Sequence, residues 1–213
     1  MRLLSKIISL LFHPLLFPTY GVIYVTLFAP HFFAQLSAKA FQLSVIVVFI
    51  LTFIFPMVAL LLIRKLELVS TDPDDKITRT IPFIAIATFY IWTYFYYKPS
   101  YRLPFANPLV ASMMLGATIA IFIAFFINIF SKISLHAVGA GAWLGFALSL
   151  MKFTVYDTTF FIPFFVVIAG LIGTSRIVLG KYDWKEIAQG YGVGFVAQFI
   201  AFNIAPSIQN WLN

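Results

Sequence analysis

Seven apolar stretches separated by short polar loops leave this chain essentially one class of fold. A helix that spans a bilayer needs about 20 apolar residues. Residues 41–63 and 108–130 meet that length outright. Residues 82–97, 135–151, 159–174 and 187–204 are shorter or carry isolated polar groups, and fit helices held inside a bundle. Residues 1–30 are interrupted by His13-Pro14 and Pro18. Proline removes a backbone donor and clashes with the preceding turn. The expected arrangement is a short interfacial helix at 2–12, a break and a first span over about 15–30, with one kinked helix as the alternative. The expectation is an all-α, polytopic integral membrane bundle of six or seven transmembrane helices, forming a single domain over residues 1–213.

Composition supports this reading. Hydrophobic residues make up 62% of the chain and charged residues 10%, against roughly 25% charged in a soluble domain. The 26 Phe exceed what an aqueous core needs but suit lipid-facing helices. With no Cys there is no disulfide framework and no thiolate chemistry. The net charge of +7 does not point to nucleic acid, because the basic residues flank apolar spans. The apolar run after Arg2 and Lys6 continues through Pro14 and Pro18 without a small-residue cleavage site, so it is read as a retained element.

The alternation of spans puts loops 64–81, 131–134 and 175–186 on one side with the N-terminus. Ten of the 14 cationic residues fall there and four on the other side, which assigns the polar side to the cytoplasm. Setting aside Lys76, Arg79, Lys132 and Arg176 as candidate anion ligands leaves six against four. The expected location is a bacterial inner (cell) membrane.

Three polar segments meet on that side: Asp72 to Pro82, Lys132 to Ala137 and Ser175 to Glu186. Each leads into the N-terminus of a helix, where free N–H groups and a partial positive charge suit phosphate. Arg adds bidentate donors and Lys a point charge. His136 sits in the first turn of a span behind Ser134, a candidate cap. A satisfied structural histidine there competes with a functional one, and Arg176 equally suits an interfacial arginine that snorkels. Lys76 and Arg79 stand among Asp72, Asp74 and Asp75, where a self-neutralising loop is the bland alternative. His13 lies on the same side but adjoins Pro14, and His31, on the other side, is given no role. Gly141 and Gly145, and Gly190 and Gly194, are spaced four apart, which lets helix backbones approach closely in lipid. The fifth and seventh spans are therefore expected to be central.

Those three segments resemble the motifs of the type-2 phosphatidic acid phosphatase superfamily of integral membrane proteins: Lys-x6-Arg-Pro, Pro-Ser-Gly-His and Ser-Arg-x5-His-x3-Asp. The third is matched best, by Ser175-Arg176, with Tyr182 in the place of the histidine and Glu186 in that of the aspartate. The second is matched by Ser134-x-His136, with Leu135 for the glycine and no leading proline. The first is matched loosely by Lys76, Arg79 and Pro82. The resemblance covers residues 60–204 as a phosphatase-like core. It implies phosphate binding by Lys76, Arg79, Ser134, Ser175 and Arg176, catalytic places at His136, Tyr182 and Glu186, and no metal or cofactor. In the family the third-motif histidine is the nucleophile. A neutral phenol with a pKa near 10 is a poor substitute unless activated.

Two functions follow as expectations. One is a lipid-phosphatase-like hydrolase that takes a lipid phosphate or diphosphate at the membrane interface. The other is a non-catalytic relative that binds an anionic lipid headgroup or assists a partner enzyme. A small transporter is disfavoured by the scarcity of polar residues near mid-membrane, and a magnesium–diphosphate site at Asp72, Asp74 and Asp75 by its undiagnostic spacing.

Overall fold

The computed structural model describes residues 2–30, 38–67, 76–98, 107–153 and 157–204. Among them every regular element is helical and no strand occurs. The helices are α1 (Arg2–Leu11), α2 (Phe17–Phe28), α3 (Ala38–Phe49), α4 (Phe55–Lys65), α5 (Lys76–Tyr97), α6 (Pro108–Phe130), α7 (Leu135–Leu150), α8 (Phe161–Val178) and α9 (Trp184–Ile204). A single π-helical turn, Ile50–Ile54, joins α3 to α4. Five stretches are long and apolar enough to cross a membrane: Arg2–Phe28, Phe41–Lys65, Pro108–Phe130, Phe161–Val178 and Trp184–Ile204. The chain is an all-α helical membrane bundle.

Large apolar side chains point outward, as lipid requires. Leu3, Leu4, Leu10, Val166, Val167 and Phe126 are exposed, while Ser5, Ser9, Ser175 and Gln198 are buried. Phe130 and Trp184 at one end of the bundle and Phe160 at the other are exposed aromatics at helix termini, the residue type that belts a bilayer interface.

The N-terminal segment is two helices separated by a break. α1 stops at Leu11, ahead of Pro14, whose ring has no N–H to continue the helix. A 3₁₀ turn, Pro14–Leu16, then leads into α2. α1 packs against α8, with Ser9 beside Ser175. Its serines face inward and its leucines outward. The order is the expected one: a short helix, a break at Pro14 and a second helix.

α7 and α9 run parallel as the closest pair in the bundle. Gly141 lies against the Tyr191 carbonyl, Gly145 against that of Phe195, and Gly194 against that of Val138. Small residues at four-residue spacing let backbone meet backbone, the packing available where lipid removes the hydrophobic drive. α6, the most buried of the long spans, packs behind α9, and Gly116 makes room for the Gln198 amide.

Some boundaries differ from expectation. α8 runs to Val178 rather than 174, so Ser175 and Arg176 lie in its last turns and not at a helix N-terminus. α5 begins at Lys76 rather than 82, with Pro82 inside it. Both polar stretches were expected to be loop. Ser175 and Arg176 are buried against α1, and that packing keeps the end of α8 helical, which propensity alone does not decide.

Candidate functional site

Ser9 is the hub of a buried polar cluster at the end of the bundle where α1 and α8 meet α7. The Arg176 Nη1 donates to the Ser9 hydroxyl at 3.4 Å. The hydroxyls of Ser9 and Ser175 lie 3.2 Å apart, and Ser175 donates to the Ile172 carbonyl at 2.7 Å. Because Ser175 has spent its proton on Ile172, Ser9 donates to Ser175 and accepts from Arg176. The chain of donors thus has one direction, from guanidinium to backbone.

The Ser9 carbonyl holds the histidine. His136 Nε2 is 3.1 Å from it. A carbonyl only accepts, so Nε2 carries a proton. Ser134 caps α7 by accepting from the Ala137 N–H at 3.4 Å, which fixes the first turn that carries His136. His13 faces His136 edge-on, with ring centroids 5.5 Å apart. Its Nδ1 accepts from Leu15 N at 3.4 Å, so the ring also caps the 3₁₀ turn. The π turn supports this from behind. Thr52 donates to the Val48 carbonyl at 2.8 Å and reaches that of Leu15 at 3.3 Å, and Phe53 packs against the His13 ring. A π turn inside a helix re-aims side chains at such a point.

A tight turn brings Tyr182 back over Arg176. α8 ends with Gly180 at φ +66°, where Lys181 N donates to the Arg176 carbonyl at 3.2 Å and Gly180 N to that of Ile177 at 2.8 Å. This is the Schellman arrangement, and the left-handed backbone favours glycine. α9 then opens with a capping box: Glu186 N donates to Asp183 Oδ1 at 2.8 Å, and Asp183 N to Glu186 Oε2 at 2.9 Å. Between the two motifs the Tyr182 ring centroid sits 5.4 Å from the Arg176 Cζ, a cation–π distance. The capping box gives Glu186 a helix-terminating task at the place read from the family motif as catalytic. Asp183→Ala is expected to destabilise the protein by about 0.5–2 kcal/mol, the usual worth of an N-cap. Glu186→Gln, which keeps an acceptor, should leave ligand binding unchanged. Thermal unfolding and a lipid-binding titration of the two variants check this.

Arg176 is 8% exposed. Among the described residues it has no carboxylate partner, and its Nε has no hydrogen-bond acceptor. Its charge acts on both His13 and His136, and Lys181 adds to the field at His136. The site is therefore a concentration of donors and positive charge facing no described acid. No group of three or more potential metal ligands occurs among the described residues.

The structure gathers Arg176, Ser175, His136 and Tyr182 in one place and uses Ser134 as the cap of α7. Lys76 and Arg79 fall in the first turn of α5, but outside the residues whose side chains are described. Asp72, Asp74, Asp75 and His31 also lie outside the described residues. Ser9 went unnoticed in the sequence and His13 was set aside. Ser5, Ser9 and His13, four residues apart, form a polar stripe on one face of an apolar segment, and that spacing was the available signal.

One helical turn deeper the cluster gives way to an apolar groove. Phe12 follows Ser9 just past the end of α1, Ala140 follows His136 on α7, and Ile172 precedes Arg176 on α8; all three line it. Phe17, Tyr20, Trp143, Phe164, Phe165, Ile168 and Ala169 complete a groove of about 300 Å³. No family model matches the chain, and neither a curated protein nor a solved structure matches it.

Proposed function

We propose that this membrane protein binds the phosphate or diphosphate headgroup of an anionic lipid at the end of its bundle, with Arg176 as the anchor. The observation that carries the reading is the buried guanidinium with no described carboxylate partner. A charge withdrawn from water is costly until an opposite charge and hydrogen bonds satisfy it, and ionisable groups inside membrane bundles mark functional sites. Arg suits phosphate oxygens through its planar fork of donors. The serine hydroxyls and His136 supply further polar groups, and the apolar groove below supplies a path for hydrocarbon. The resemblance of these segments to the type-2 phosphatidic acid phosphatase motifs agrees in residue order and in chemistry. The excess of basic residues at the polar end supports a cytoplasmic placement of that end, in what we take to be a bacterial cell membrane.

Binding without turnover is the form of the reading preferred here. The phenol at position 182 stacks on Arg176, and bound phosphate without an attacking group is only positioned. Hydrolysis is the second reading, and the observation in its favour is the pair of imidazoles beside Arg176. The test uses purified protein in lipid nanodiscs with a panel of lipid phosphates and diphosphates. Saturable binding that depends on Arg176, with no phosphate released, is the expected result. Turnover abolished by His136→Ala and by Tyr182→Phe, with phosphotyrosine trapped, would establish the second reading. Absence of Arg176-dependent binding would remove both.

A further inference from the structure

We infer that the groove between α1–α2, α7 and α8 is a built site for one hydrocarbon tail of the lipid whose phosphate meets Arg176. This rests on the proposed headgroup reading and extends it to the part of the ligand that lies in the membrane.

The lining is dry by construction. Its two polar handles are already engaged inside the protein: the Tyr20 hydroxyl donates to the Leu11 carbonyl at 2.9 Å, and Trp143 Nε1 to the Phe17 carbonyl at 3.0 Å. Every other lining group is apolar. The groove offers water nothing to bond, and a space of this size lined by Leu-, Ile- and Phe-like groups takes an apolar guest. A groove of about 300 Å³ suits a segment of one chain better than both chains of a diacyl lipid.

Position decides the occupant. The mouth lies one helical turn from Ser9, from His136 and from Arg176, on three separate helices. From Ile172 to Phe164 the groove follows α8 for eight residues, about 12 Å at 1.5 Å per residue, away from the polar cluster. A phosphate held at Arg176 therefore starts its tail at the mouth and points it along the groove. Phe164, exposed at the far lip, opens the groove to bulk lipid. Ala140 and Ala169 are the small side chains of the lining, and beside them the Trp143 and Phe165 rings pack against each other with centroids 4.8 Å apart. The bilayer offers a tail the same apolar surroundings, so burial alone does not draw it in. The tether to the headgroup does, by making entry intramolecular.

The probe is a phosphatidic acid carrying a photoreactive diazirine near the head-proximal end of one tail, presented to the full chain in phosphatidylcholine nanodiscs. Adducts on α8 are expected to concentrate on Ile168, Ala169 and Ile172, which line the groove, over Val166, Val167 and Leu171, which face lipid on the same helix. Equal labelling of the two sets in protein that binds the probe in an Arg176-dependent way would overturn the groove and leave the headgroup site standing. An excess on the groove face that survives Arg176→Gln keeps the groove and sinks the headgroup reading. Ala169→Trp is expected to weaken binding of the long-tailed probe about tenfold and to leave Arg176-dependent binding of inorganic phosphate unchanged. Val167→Trp, the same bulk on the lipid face, should do neither. Unchanged affinity in folded Ala169→Trp contradicts the inference; where that variant does not fold, the labelling of the wild-type chain decides.

Discussion

Arg176→Gln is expected to reverse the order of thermal stability between free and lipid-bound protein. In the free state the variant should unfold at a higher temperature than the wild type, by about 2–4 °C. That is the shift for about 1 kcal/mol in a chain of this size, within the range recovered when a functional compromise is removed. The reason is that wild-type Arg176 is buried, faces no described acid and leaves Nε without an acceptor. An uncompensated charge penalises the folded state until an anion arrives. With a lipid phosphate in hundredfold excess over its dissociation constant, binding stabilises the wild type by about 2.7 kcal/mol. The variant should lose about 10- to 100-fold in affinity, because hydrogen bonds to charged groups are each worth about 1.5–3 kcal/mol, and so gain little from the same lipid. Unfolding followed with and without phosphatidic acid reads both effects. If Arg176→Gln is less stable in both states, Arg176 is a structural residue that holds α1 to α8 through Ser9.

The spans were legible because lipid imposes a length and a polarity that few sequences satisfy by accident. α6 was read as 108–130 and is found there. The site was legible only in part. Arg176, Ser175 and His136 announced themselves as polar residues in apolar surroundings. What could not be read was how they meet, since Ser9 is reached only through the packing of α1 on α8, 166 residues away in the chain. No local pattern encodes a contact of that range. The end of α8 was misplaced for the opposite reason. The stop signal is Gly180 in a left-handed turn, but the polar pair Ser175-Arg176 mimics a boundary four residues earlier. In a membrane bundle a polar residue inside a helix marks an inward face as readily as a terminus. The same error hid the stripe of Ser5, Ser9 and His13, because α1 is patterned inside out.

Gly194→Ala is expected to be the most disruptive single-methyl change at the α7–α9 contact. The Cβ would lie 1.9 Å from the Val138 carbonyl oxygen and 2.6 Å from the Ala142 nitrogen. Both are backbone atoms of a helix, and neither yields by a rotamer change. To admit the methyl, α7 and α9 must separate along the seam where Gly141, Gly145, Gly190 and Gly194 interlock. The cost is about 3 kcal/mol or more, at the upper end for overpacking, or an unfolding midpoint about 6–12 °C lower. Function should fall with it, since α7 carries His136 at its first turn and α9 is reached through the turn that places Tyr182 over Arg176. Gly192→Ala is the control on the same helix. No atom lies within 4 Å of its added Cβ, and alanine is favoured over glycine inside a helix by about 1 kcal/mol, so that variant should be as stable as the wild type or slightly more so. Equal behaviour of the two variants would mean that α7 and α9 do not meet backbone to backbone, and the parallel pairing that positions His136 would have to be abandoned.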